Sequence, residues 1–349
     1  MGFNLSKFTL RVLSVSVLLI LSLFFIISKQ NSKTEEIESA INAGKTFLCK
    51  IQRNDGAICD TLNPLFDIWE TALAATALNT LDKDSNTFAF SKAMSFLRNN
   101  ENADGLICHN KKCREAYCLE TTSIYFQLLI EMGEQENLGS KISKITDMQL
   151  SSGKWLIGNP DVKNKMDFPS VTAFTLNLLM KAKTEPKYST EAMNWLLSHQ
   201  HDEGHWGRAW EYYDIPAYAL WQIMETLSIH SNYHGVESSK NKAIKYILSQ
   251  QRYNGRWEYD SSSKFRKPSN VLQTALMLCA LQKAGYSYKE KAMLKAVNFL
   301  MASIKKDGSW DGGYFPIENA LYKKHEYVFA TSMTIYVLSY YLESLLAKK

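Results

Sequence analysis

Cys59, Cys108, His109 and Cys113 bring three thiols and an imidazole into the first third of the chain, the donor types from which soft-metal sites are built. Cys59 and Cys108 each follow a turn of the same kind about fifty residues apart, which predicts that they are neighbours in space. Three thiolates and one imidazole would suit tetrahedral zinc, but the spacing matches no standard zinc pattern. The competing reading, which the pattern favours and under which no metal is expected, joins two of the three thiols in a disulfide that pins the long loop after Cys108, as in a non-reducing compartment. Cys49 could also take part, and Cys279 reads as a buried core thiol.

A second set is acidic. Asp67, Glu70 and Glu120 stand at the starts of apolar helices, where they could act as acid and base with pKa values spread by burial. Their structural alternative is capping of helix N-termini, with Thr71 and Thr121 bonding backbone carbonyls. The stretch GRAWEYYDIPAYALW contributes Arg208, Trp210, Glu211, Tyr212, Tyr213 and Asp214. Aromatic faces there could cradle a polyene and stabilise cationic charge, or stack on sugar rings while Glu211 and Asp214 serve as acid and base. They could equally fill the top of a barrel with their hydroxyls satisfied. His325, with Glu318, Tyr322 and Glu326 nearby, is a candidate general base or a capping residue. Asp67, Glu70, Glu120, Asp214 and His325 are thus the catalytic candidates, and Trp69, Tyr117, Arg208, Trp210, Glu211 and Tyr213 the substrate-binding ones. Lys264, Arg266 and Lys267 could greet an anionic head group or form a solvated rim.

The elements that must position these residues recur. QRNDGAI, ENADGLI, QLSSGKW, QHDEGHW, QRYNGRW and IKKDGSW begin at Gln52, Glu101, Gln149, Gln200, Gln251 and Ile304, a period close to fifty residues. Such a period means stacked supersecondary units, none able to bury its apolar face alone. Each turn follows an amphipathic helix such as AMNWLLSHQ, and its Gly supplies the left-handed conformation that stops the helix, while the Trp folds back over the hairpin to cover the Gln. A more apolar second helix follows, as in WETALAATAL or VLQTALMLCAL, hydrophobic nearly all round. The fold class is therefore all-α, an (α/α)6 toroid with amphipathic helices outside and apolar ones inside, whose inner helix N-termini face one mouth and favour an anion.

The glycine turns resemble the QW motif of the squalene cyclase and protein prenyltransferase β-subunit superfamily. Four copies bear Trp, one of them with Ile304 in place of Gln, and the first two end in Ile58 and Ile107. PLFDIWETALAATAL, from Pro64 to Leu78, looks like the start of an inner helix in bacterial squalene-hopene cyclases. The resemblance implies a central cavity for an isoprenoid-like lipid. It does not bring a full catalytic signature. The Asp-x-Asp-Asp-Thr motif of class II terpene cyclases, whose middle Asp donates the proton, is represented only by DIWET, with Trp69 at the donor position, and YCLET, with Leu119 there. Triterpene cyclases also use a second barrel, and about three hundred residues supply one. The zinc-binding Asp, Cys and His of the prenyltransferases have no recognisable counterpart, Cys279 lying deep in its helix and His325 lacking partners.

Composition supports one large folded body, with 46% hydrophobic residues and 7 Pro. The net charge of +5 is spread along the chain without a basic stripe, which excludes nucleic acid as an expected partner. Val12 to Ile27 is an apolar run with no small-x-small cleavage site after it, read as an uncleaved signal anchor. The expected organisation is an anchor at 1–28, a linker at 29–39 and one toroid domain at 40–349. Lys7 and Arg11 are balanced by Lys29 and Lys33, so orientation rests on the cysteines, which point to an extracytoplasmic toroid. The expected function is a membrane-anchored toroid handling a lipidic, isoprenoid-like substrate. A glycan lyase or hydrolase and a non-catalytic binding module are the alternatives; cofactor and oligomeric state stay open.

Overall fold

A computed structural model describes residues 32–60, 66–81, 87–158, 168–207, 216–258, 269–313 and 327–347. The anchor run lies outside these residues, as do Arg208, Trp210, Glu211, Tyr213, Asp214 and His325. Among the described residues no helix is long and apolar enough to cross a membrane, and an isolated β-bridge joins Glu101 and Ile107.

The outer helices are α1 (residues 32–51), α3 (Thr87–Arg98), α5 (Gly139–Asp147), α7 (Ser189–Ser198), α9 (Val236–Gln250) and α11 (Lys291–Ala302). The inner ones are α2 (Asp67–Leu78), α4 (Leu119–Glu131), α6 (Pro169–Lys181), α8 (Pro216–Ile229), α10 (Asn270–Lys283) and α12 (Val328–Leu346). Helix α1 takes in part of the stretch expected as linker, because Ile37, Ala40 and Ile41 supply a buried stripe at helical spacing. Inner helices pack in order, α2 on α4 and so on to α12, which returns to α2 and closes the ring. The sequence asymmetry explains the two layers. Every residue of α6 from Pro169 to Leu179 is buried, whereas α5 buries only Ile142 and Ile145.

The turns lock neighbouring hairpins together. Gly153 has φ of +87°, and a Cβ there would stand 2.1 Å from the backbone N of Ala192 on α7. At Gly308 it would stand 2.3 Å from the carbonyl oxygen of Ala43, so the sixth turn seats on the first outer helix. Glycine is thus required both for its left-handed conformation and for close approach. The Gln reaches outward to the next unit: Gln149 Nε2 donates to the Gly153 carbonyl at 2.8 Å and the Tyr188 carbonyl at 3.2 Å, and accepts from Tyr188 N at 2.9 Å. The Trp turns inward instead of covering the Gln. Trp155, Trp206, Trp257 and Trp310 are buried, each donating its indole N–H to a carbonyl ten residues earlier on its own outer helix.

Candidate functional site

Glu120 lies in the first turn of α4, buried where the inner helices begin. Its Oε1 accepts from Trp69 Nε1 at 2.8 Å and from the Tyr218 hydroxyl. Trp69 and Tyr218 sit near the starts of α2 and α8, and both are buried, so three inner helices meet on one carboxyl oxygen. Aromatic rings continue from there. Trp69 packs edge-on against Phe329 of α12 at 4.8 Å, Tyr218 against Trp221 at 5.6 Å, and Trp221 against Phe174 of α6 at 5.3 Å. A buried carboxyl can transfer a proton, and aromatic rings clustered near it can screen a developing cation.

Three further acids of this end serve the backbone. Glu70 is buried and its Oε2 accepts from Asp60 N at 2.7 Å. Asp67 Oδ1 accepts from Lys111 N at 3.2 Å, and Oδ2 is 3.9 Å from Arg53. Burial raises the Asp67 carboxyl above its ordinary value, only partly offset by the Lys111 N–H and the charges of Lys111 and Arg53. Asp60 Oδ2 receives the N–H groups of Tyr327 at 2.8 Å and Val328 at 3.1 Å, tying the first hairpin to the start of α12. Its carboxyl is likewise raised by burial.

Of the cysteine group, Cys108 and Cys113 are joined in a disulfide, and Cys59 stays a free buried thiol, 3.7 Å from Arg53. The bridge is local to one loop because Asn110 folds it back, its side chain accepting from Lys112 N and Cys113 N. This loop also tops α2: the His109 carbonyl accepts from Ile68 N at 3.2 Å and Trp69 N at 3.1 Å. Tyr117 packs elsewhere, its ring over Gly158, where a Cβ would come within 2.0 Å of it.

One helical turn below Glu120 a cavity of about 60 Å³ opens among the inner helices, lined by Leu73, Ile124, Phe174, Trp221 and Met333 and rimmed by charge. It has room for a few waters. Around its rim successive inner helices alternate in sign: Glu131 with Lys181 at 3.1 Å and Glu225 with Lys283 at 3.0 Å. Burial opposes the Glu225 charge, but Lys283 and Lys181 outweigh it and hold the carboxyl below its ordinary value. Tyr336 and Cys279 are pushed up to about 12 by burial and stay neutral.

Sequence reasoning named Trp69 and Glu120 as candidates but not Tyr218, Phe329, Trp221 or the charged rim. A signal existed in the helix register. Trp69 and Tyr218 are third in α2 and α8, and Glu120 and Phe329 second in α4 and α12, so aligning helix starts puts all four at one level.

Residues 157–336 match the model of the family described as the squalene-hopene cyclase C-terminal domain. A squalene-hopene cyclase of Bradyrhizobium diazoefficiens is 30% identical over 153 residues, 40% of this chain but 22% of that protein. The matched stretch is thus about a fifth of that relative's length. Among solved structures, type II terpene cyclase MstE from Scytonema, bound to its substrate geranylgeranyl dihydroxybenzoate, superposes with a TM-score of 0.69 at 18% identity over 90% of this chain and 99% of its own. A possible GH105 family member from Salmonella enterica superposes with a TM-score of 0.62 at 15% identity, covering 89% of this chain and 94% of its own. At these identities the superpositions establish the fold alone.

Proposed function

This chain belongs to the squalene-hopene cyclase C-terminal domain family, and from that premise we propose that it performs acid-initiated chemistry on an isoprenoid-like lipid, with Glu120 as the proton donor. The observation that carries this reading is the buried Glu120 carboxyl held between the Trp69 indole and the Tyr218 hydroxyl. In DIWET the donor position of the class II motif is occupied by Trp69, so the acid is supplied from the neighbouring inner helix. In its acid form Glu120 protonates a substrate double bond, leaving a carboxylate and a carbocation. Trp69, Phe329, Tyr218 and Trp221 offer ring faces to that charge. Ring closure by a second double bond and loss of a proton from the product cation complete the balance. The apolar run Val12 to Ile27 would tether the toroid beside the membrane that holds such a substrate.

The test is incubation of the full chain in detergent with linear isoprenoids, their terminal epoxides and a geranylgeranyl-substituted aromatic acid, with products resolved by mass spectrometry. Wild-type protein is expected to give isomerised or cyclised product, and Glu120→Gln to lose about 10²- to 10⁴-fold in rate while still binding substrate. Unchanged turnover by Glu120→Gln removes Glu120 as the acid. Retention of lipid without conversion by wild type reduces the protein to a binder, and turnover of glycans alone moves it to the glycan reading.

A further inference from the structure

The loop that tops α2 holds more than a disulfide. His109 Nδ1 lies 3.4 Å from Cys108 Sγ and 3.5 Å from Cys113 Sγ, and among the described residues these three form a group whose donor atoms all fall within 4.8 Å of one another. Zinc takes thiolate sulfur at about 2.3 Å and imidazole nitrogen at about 2.0–2.1 Å in tetrahedral geometry. Two such ligands are then separated by roughly 3.5 Å. Both sulfur-to-nitrogen separations therefore already have the spacing of a tetrahedral site, and only the two sulfurs must part.

We propose that the reduced loop is a zinc site, with Cys108 Sγ, Cys113 Sγ and His109 Nδ1 as ligands and a fourth position open to water. The chemistry balances with a dithiol reductant: two electrons and two protons pass to the Cys108–Cys113 bridge, giving two thiols, and the reductant leaves as its disulfide. Zinc then binds the two thiolates and releases their protons to solvent. The loop is shaped for both states. The Asn110 side chain holds the turn from Lys112 to Cys113, and His109 is buried, so its ring is positioned before any ion arrives. Cys59 takes no part, being engaged by Arg53.

Cobalt titration of the full chain tests this, before and after treatment with a dithiol that is then removed under anaerobic conditions. The reduced protein is expected to bind one equivalent of Co²⁺ with a sulfur-to-cobalt charge-transfer band and the visible bands of tetrahedral cobalt, both lost on adding Zn²⁺. The oxidised protein is expected to show neither. His109→Gln and, because a buried His substitution can perturb folding, the only partly buried Cys113→Ser should each weaken binding by more than the roughly 10- to 100-fold that loss of an outer partner costs. Cys59→Ser should bind as wild type does. No sulfur band in the reduced wild type, or a band that survives Cys108→Ser with Cys113→Ser, overturns the proposal.

Discussion

The two ends of the inner ring spend their acidic residues differently. Where inner helices begin, Asp60, Asp67 and Glu70 accept backbone N–H groups from the loops. Where they end, Glu131 and Glu225 hold the lysines Lys181 and Lys283 of the last turns of α6 and α10. Helix dipoles favour carboxylates at the end where free N–H groups collect and ammonium groups at the carbonyl end, so there Glu131 and Glu225 stand as partners of those lysines, not as caps. Glu120 differs from both sets in that its Oε1 accepts from two aromatic side chains, the Trp69 indole and the Tyr218 hydroxyl.

The sharpest way to break this comparison is at the charged rim. Lys283→Met leaves Glu225 buried without its closest cation and should cost about 3–5 kcal/mol in urea unfolding, whereas Lys283→Met with Glu225→Leu should recover most of that. A single variant no worse than a surface change would mean the rim charges are not desolvated as their burial implies.

The next effect is smaller and carries opposite signs at the two ends. Asp60→Asn replaces the buried carboxyl that takes two backbone N–H groups and should cost about 0.5–1.5 kcal/mol, the value for bonds to a neutral acceptor, where the carboxyl is protonated. Because burial raises the Asp60 carboxyl above its ordinary value of 3.8, its contribution is full below that value and declines as pH rises through the folded pKa. Glu225 is held below its ordinary value of 4.5, so its contribution is full above that value and is lost as pH falls through the folded pKa. Unfolding curves taken across this range should show the Asp60→Asn penalty growing on acidification and the Glu225→Gln penalty shrinking. Parallel trends would refute the assignment of different environments.

The least effect is expected on the outer surface. Lys187 and Asp147 approach to 2.6 Å but are about half exposed, at 48% and 62%. Asp147→Asn should cost at most about 1 kcal/mol and lose even that in high salt. It calibrates both ends against an ion pair that water screens.

The repeat was legible in the chain itself. Gly153, Gln149 and Trp155 do the same work in their hairpin as Gly255, Gln251 and Trp257 do in theirs, and such local work recurs at a readable spacing. Alternating amphipathic and fully apolar helices likewise dictated which would lie outside and which inside, since a helix without a polar face has nowhere else to go. Closure of the ring, which six repeats led one to expect, is made by α12 on α2 and Gly308 on Ala43; which side chains then meet on the axis is what only the tertiary structure decided. From closure follow the meetings no local pattern could announce: Glu120 with Trp69 and Tyr218, 51 and 98 positions away, and Glu225 with Lys283, 58 positions away. The choice of Cys113 over Cys59 as partner of Cys108 is local by contrast, made within one loop where the Asn110 side chain folds the turn. Local backbone and periodicity act over one helical hairpin, whereas a site on the axis is assembled from side chains whose neighbours are chosen by how those hairpins pack.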